Sequence, residues 1–188
     1  SYHAKIISLW FDDGRAVVDE YRRQRGEVRD GQTTLPRLNG TNVYLIFVES
    51  YGASLLERDE HRAVIEDIYA RYSETLDGKG RESVSTLLES PTYGGLSWLA
   101  HLTSTAGAWV DTNLEYRAYL RSDLDTLPQI LRRGGHETSL FMPGIQRYWP
   151  ESRLLRFDHV FTAGDLGYDG VRFGYFGIPD QFTLERIP

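Results

Sequence analysis

The stretch NVYLIFVESYG, Asn42–Gly52, decides how the chain is read. Six apolar side chains, Val43 to Val48, run without a break and stop at the carboxylate of Glu49. Their number and their β-branched and aromatic content predict a strand covered on both faces, as in a parallel sheet. Glu49 then stands at the carboxyl end of that strand, where open α/β sheets gather their ligands.

Reading outward, strands and helices alternate. The segment ERDEHRAVIEDIYARYSE predicts a helix with Val64, Ile65, Ile68 and Tyr72 on one face. ESVSTLLES predicts a strand or an extended connector. SWLAHLTSTAG predicts a helix that stops at Gly107. SDLDTLPQILRRGG predicts another, capped by Ser122 or Asp123 ahead of Asp125 and ended by Gly134-Gly135. HETSLFM and HVFTA read as strands, IQRYWPESRLL as a short helix or turn, and a last helix starts after Pro179. The alternation implies an α/β fold: a mostly parallel sheet with helices on both faces. Ahead of the apolar run lies an amphipathic helix broken near Gly14, with Ile6, Leu9, Trp10, Val17 and Tyr21 at near-helical spacing. The polar, Gly- and Pro-bearing RDGQTTLPRLNG follows as a linker. The expected division is a helical connector over residues 1–40 and a main domain over 41–188.

Composition narrows the function. A length of 188 residues suits one ordinary domain. The net charge of −6, with both signs interspersed, argues against a reader of nucleic-acid backbone, which needs a basic stripe. Without cysteine there is no disulfide, zinc-thiolate site or thiol nucleophile. No apolar run reaches the roughly 18 residues that span a bilayer, and no signal-peptide pattern opens the chain. Both ends are abrupt, so the sequence is expected to be part of a longer one.

A second stretch, ESPTYGGLSWLAHLTSTAG, carries candidate chemistry. Gly94 and Gly95 precede Ser97, which is expected in the first turn of a helix. Glycines let a ligand approach the backbone closely, and a helix N-terminus offers free N–H groups to an anion. A hydroxyl there becomes a nucleophile when a divalent cation also holds it, and Glu49 could supply that cation with a hard oxygen ligand. His101, four residues on, shares the face of Ser97 and could hold an oxyanion. Plainer readings stay open beside these. Glu49 alone is a solvated edge charge, Ser97 alone an N-cap, His101 alone a packed histidine, and Thr92, Thr103 and Ser104 are rival hydroxyls.

On these residues the chain resembles the alkaline phosphatase and sulfatase superfamily. It is most similar to the branch of lipoteichoic acid synthases, phosphoglycerol transferases and other membrane-anchored sulfatase-like proteins. NVYLIFVESYG resembles the family's first strand with its metal-binding acid, which maps to Glu49. GGLSWLAHLTSTAG resembles the nucleophile segment, with Ser97 and a helix-ending glycine ten residues later at Gly107. DTLPQILRRGGHETSLFMPG resembles the next helix, glycine turn and strand, with His136 where relatives carry Tyr. RYWPESRLLRFDHVF and FGIPDQFTLERI resemble the approach to the second half of the domain.

The resemblance implies an alkaline-phosphatase-like but incomplete domain, and a hydrolase or transferase of phosphate or sulfate esters with Ser97 as nucleophile. Leu99 and His101 replace the Pro or Ala and the Arg that formylglycine conversion requires, which favours a direct serine attack on phosphorus. It implies one divalent cation (manganese, zinc, magnesium or calcium) on Glu49, Ser97 and further Asp and His ligands. Asp158-His159 is the chain's one Asp-His pair, but Val160 follows it and not Gly, so it is read as a decoy. The piece is accordingly expected to be inactive and metal-free by itself. Gly95, His101, Trp149 and Arg153 are the implied substrate contacts; for the last two, a buried aromatic and a solvated charge are the plain alternatives. The implied substrate is a small-molecule, lipid or glycan ester. The implied location is the outer, extracellular or periplasmic face of a membrane, with anchoring through segments outside this chain. Arg22, Arg23 and Arg25 then lie on a juxtamembrane connector or on a helix packed against the domain. The other functional class is an inactive sulfatase-like module used for binding or assembly; a nucleotide-binding domain is disfavoured because no glycine-rich phosphate loop follows the first strand.

Overall fold

In the computed structural model, residues 14–26, 28–49, 52–147, 149–172, 174 and 177–187 are described. Ile6, Leu9 and Trp10 lie outside them. The chain divides into two compact units, one of Ser1–Val43 with Trp98–Pro188 and one of Tyr44–Ser97.

The first unit is built on a helical core. Helix α1, residues 14–24, presents Tyr21 to it, flanked by Val17 and Val18. Two further helices of the second unit, α2 (Ser54–Glu57) and α3 (Asp59–Asp77), intervene in sequence. Helix α4, Ser97–Ala106, then buries Leu99, Leu102 and Ala106, a single stripe at helical spacing. The chain returns through Ala108 and Val110, also buried. Thr103 pins this return: its hydroxyl donates to Val110 O at 3.2 Å and accepts from Val110 N at 3.0 Å. Helix α5, Asn113–Arg121, adds Tyr119 and Leu120. Its start is a capping box, in which Glu115 N–H donates to Thr112 Oγ1 and Thr112 N–H to Glu115 Oε2. The rings of Tyr21 and Tyr119 meet at 5.4 Å and 58°, the tilted arrangement that aromatic pairs prefer.

Helix α6 spans Leu127–Arg133. Its cap corrects the expectation of Ser122 or Asp123: Thr126 is the capping residue, and Gln129 Oε1 accepts from its N–H at 2.5 Å and its hydroxyl at 3.0 Å. Asp125 is not the partner in the cap, because both its oxygens are taken by Arg133 and one of them also by Gly31 of the loop. Gly31 N–H donates to Asp125 Oδ2 at 2.6 Å, and Arg133 grips both Asp125 oxygens at 2.9 and 2.6 Å. Asp125 N–H donates to Asp30 Oδ1 at 2.7 Å, and that same oxygen accepts from Arg25 Nη1 at 2.5 Å. Arg133 also donates to Thr33 O. Arg25 and Asp125 are buried, so the linker read from sequence is stapled to α6 by two interlocked ion pairs. Of the other two arginines, Arg22 pairs with Asp19 and Asp123, and Arg23 with Glu20.

Strands β1 (Ser139–Met142) and β2 (His159–Thr162) pair in parallel, Ser139 opposite His159 and Met142 opposite Thr162. Phe141 and Phe161 stack across them at 4.7 Å. A 3-10 helix, Pro150–Leu155, lies in the crossover, and its Leu155 packs on the core. Helices α7 (Ala163–Leu166) and α8 (Asp180–Glu185) follow.

In the second unit α3 forms as its periodicity predicts, yet Val64, Ile68, Tyr69 and Tyr72 remain exposed. ESVSTLLES is neither a helix nor a paired strand, and its Val84, Leu87 and Leu88 are exposed.

The apolar run that opens the analysis is neither a helix nor a strand of a sheet, and Val43 to Val48 are 40–67% exposed. The buried central strand is therefore corrected; at the coarser level the fold is mixed helix and parallel sheet, consistent with an α/β class, with two strands in the sheet among the described residues. Local composition specifies an apolar segment. A ladder also needs a neighbouring strand in register, and that is not encoded within the run.

Breaking the ion-pair staple tests its weight. Asp125→Asn leaves Arg133 beside a neutral group, and urea unfolding is expected to show a loss of about 3 kcal/mol. The pH response follows from the same site. Burial pushes the Asp125 carboxyl up, but the hydrogen bonds of Arg133 and Gly31 and the charges of Arg133 and Arg25 outweigh it and hold the group below its usual value. A folded-state depression stabilises fully above the unfolded carboxylate value of about 4 and is lost as pH falls through the folded one. Unfolding midpoints measured down into that acid range should fall steeply in the parent chain and less steeply in Asp125→Asn.

Candidate nucleophile turn

Three successive residues ahead of α4 have left-handed backbone: Gly94 at φ 69°, Gly95 at φ 127° and Leu96 at φ 56°. The two glycines adopt this freely, and no heavy atom lies within 4 Å of a Cβ placed on either. Leu96 does not, and a left-handed residue with a Cβ costs roughly 1–2 kcal/mol. The reversal ends at Ser97, half-buried and the first residue of α4. Successive N–H groups in such turns form concave anion sites, and the first N–H groups of a helix are unsatisfied within it. His101 lies one turn along α4 and is also half-buried. The stripe of Leu99, Leu102 and Ala106 anchors the opposite side of the helix in the core.

The other sequence candidates lie as follows. Gly95 belongs to the turn itself and is exposed. Glu49 is exposed, in a turn after the apolar run rather than at the end of a paired strand. Trp149 is half-buried at the N-cap of the 3-10 helix, where its carbonyl accepts from Ser152 Oγ at 2.7 Å. Arg153 is exposed on that helix, which packs on α5. Among the described residues no three His, Asp or Glu side chains converge to hold a metal ion. Glu49 and Ser97 alone do not make up the shell that the resemblance implies.

A second cluster surrounds an open depression of about 600 Å³, lined by Arg132, Gly135, His136, Glu137, Asp158 and His159. The register of the sheet places it at the amino ends of β1 and β2, opposite to the side where parallel sheets usually bind ligands. Its charges are already engaged. Asp158 accepts from Thr138 N at 2.9 Å, from Thr138 Oγ1 at 2.8 Å and pairs with Arg132 Nε at 2.8 Å. In return Asp158 N–H donates to Thr138 Oγ1. The Thr138 N–H and hydroxyl bonds, helped by Arg132 and His159, hold the Asp158 carboxyl below its usual value. His159 pairs with Glu137 at 2.6 Å. The Asp-His dipeptide therefore fastens the entrance of β2 to that of β1. Sequence reading pointed to the dipeptide but not to this purpose, because its partner Thr138 is 20 residues away.

The chain matches no protein-family model, no curated protein and no solved structure.

Asp158→Ala removes two hydrogen bonds and an ion pair from the mouth of the two-stranded sheet. Amide exchange at Thr138 through Met142 and at His159 through Thr162 is expected to accelerate, while protection of α4 and α5 stays at the parent level.

Proposed function

We propose that this chain carries the nucleophile segment of a phosphoester hydrolase or transferase with an alkaline-phosphatase-like fold, and that Ser97 is the attacking group. The observation that carries the reading is the run of left-handed residues, Leu96 included, that turns the chain into α4 at Ser97. Backbone strain of this kind concentrates at sites where a side chain must be aimed. The turn and the helix start bind the phosphoryl oxygens through N–H groups, with Gly95 leaving room for the anion. Ser97 Oγ attacks phosphorus in line. The P–O bond to the leaving alcohol breaks, the hydroxyl proton passes to solvent or a base, and the phosphoserine is resolved by water or an acceptor alcohol. His101, one turn along α4, is the proposed donor to a phosphoryl oxygen. Trp149 and Arg153 are proposed contacts to the remainder of the substrate, a lipid or glycan ester met at the outer face of a membrane. A divalent cation belongs to the proposal through Glu49 and Ser97, and no step above is routed through it, since the described residues do not complete its site.

The test is turnover of model phosphodiester and sulfate-ester substrates by the protein in its full natural length, with manganese or zinc supplied. Ser97→Ala is expected to lower phosphodiester turnover by at least about 10³-fold without altering the circular dichroism spectrum. Retained turnover removes Ser97 from the chemistry. Absence of turnover in the parent protein as well, alongside tight binding of the same esters, makes the chain a binding module.

A further inference from the structure

The chain contains one Asn-Gly dipeptide, Asn39-Gly40. It follows the 3-10 helix Pro36–Leu38 and forms the centre of a turn. Asn39 has φ −58° and ψ 132°, Gly40 has φ 75°, and Thr41 N–H donates to Leu38 O at 3.1 Å. These are the angles and the closing bond of a type II turn, whose second central position favours glycine. Both residues are exposed, and no heavy atom lies within 4 Å of a Cβ placed on Gly40. The turn is exposed and carries no side chain at Gly40, and rotation of the 39–40 peptide plane interconverts type II and type I turns, which glycine tolerates at both extremes.

The geometry points to Asn39 as a site of self-modification by deamidation. Gly40 N, on losing its proton to base, attacks Asn39 Cγ. The new N–Cγ bond closes a succinimide, the Cγ–Nδ2 bond breaks, and the amide nitrogen leaves as ammonia with the proton returned. Water then opens the ring at either carbonyl. Opening at Cγ gives Asp; opening at the main-chain carbonyl gives isoaspartate, with the chain routed through the former side chain. The net reaction consumes one water and releases one ammonia, with no oxidant or cofactor. The product matters for its neighbours: Asn39 Oδ1 lies 3.6 Å from the position of a Cβ on Gly134, the C-cap of α6. A carboxylate there meets the negative end of that helix. The isoaspartyl form also adds a methylene to the backbone ahead of Tyr44, where the second unit begins.

The purified protein is aged at mildly alkaline pH in ¹⁸O-labelled water and mapped by peptide mass spectrometry with fragmentation that separates Asp from isoaspartate. The expected result is ¹⁸O label at position 39 in both isomers, accumulating in proportion to hydroxide. Asn39→Gln, which would have to close a larger ring, should lose the label with an unchanged circular dichroism spectrum. No label at position 39, under conditions where a synthetic peptide of residues 35–45 is converted, overturns the proposal, and so does labelled Asp without isoaspartate. Asn39-Gly40-Thr41 is also an acceptor sequence for N-linked glycan. A glycan on Asn39 in protein from its natural source overturns the proposal as well, because the amide is then capped.

Discussion

The first unit depends on one arrangement of charge: Asp30 accepts from Asp125 N–H and Arg25, and Asp125 accepts from Gly31 N–H and Arg133. No member is satisfied by the others' absence. Asp125 is buried and would be costly if Arg133 were removed. Arg25 is buried and has its nearest carboxylate in Asp30. The network ties together segments that hydrophobic packing alone leaves underdetermined, a polar loop and the start of a short helix. Tyr119 links it to the apolar core, since its hydroxyl donates to Asp125 O at 2.6 Å while its ring packs on Tyr21. Polar closure and apolar packing are thereby one structure rather than two.

How much of this was legible depended on distance along the chain. Helices α3, α4, α6 and α8 and both strands were read from periodicity, caps and glycine stops, all signals within a few residues of one another. Gly107 ends α4 as expected, with its N–H on Thr103 O. The α6 cap and helix α5, with its Thr112–Glu115 box, were missed although their signals are local; the larger errors were non-local. The run Val43–Val48 has the composition of a central strand, but a strand exists only in a ladder. RDGQTTLPRLNG reads as a linker from its polarity, yet Asp30, Gly31 and Thr33 within it bond to residues of α6 and its approach about a hundred positions away. Nothing in the composition of the loop announces those partners.

The candidate site shows the same division. Ser97 at a helix start after two glycines was readable, and the structure adds what no residue count reveals: the left-handed backbone continues through Leu96, where a side chain opposes it. That strain separates this turn from ordinary N-capping. Asp158-His159 shows the reverse. A dipeptide with metal-ligand chemistry is occupied by Thr138, Arg132 and Glu137 as a clasp between two strand entrances. Chemical type nominates a residue for a role, and the partners within hydrogen-bonding distance decide it.

The separation of 95 residues between Asp30 and Asp125 has a consequence for biosynthesis. A chain leaves the ribosome from its amino end at about 5–20 residues per second, so Arg25 and Asp30 emerge roughly 5–20 s before the residues that bury them. During that interval the amino-terminal helix has neither Tyr119 nor Asp125 to dock on. The first unit therefore cannot assemble in step with translation and must wait until Asp125 and Arg133 have emerged.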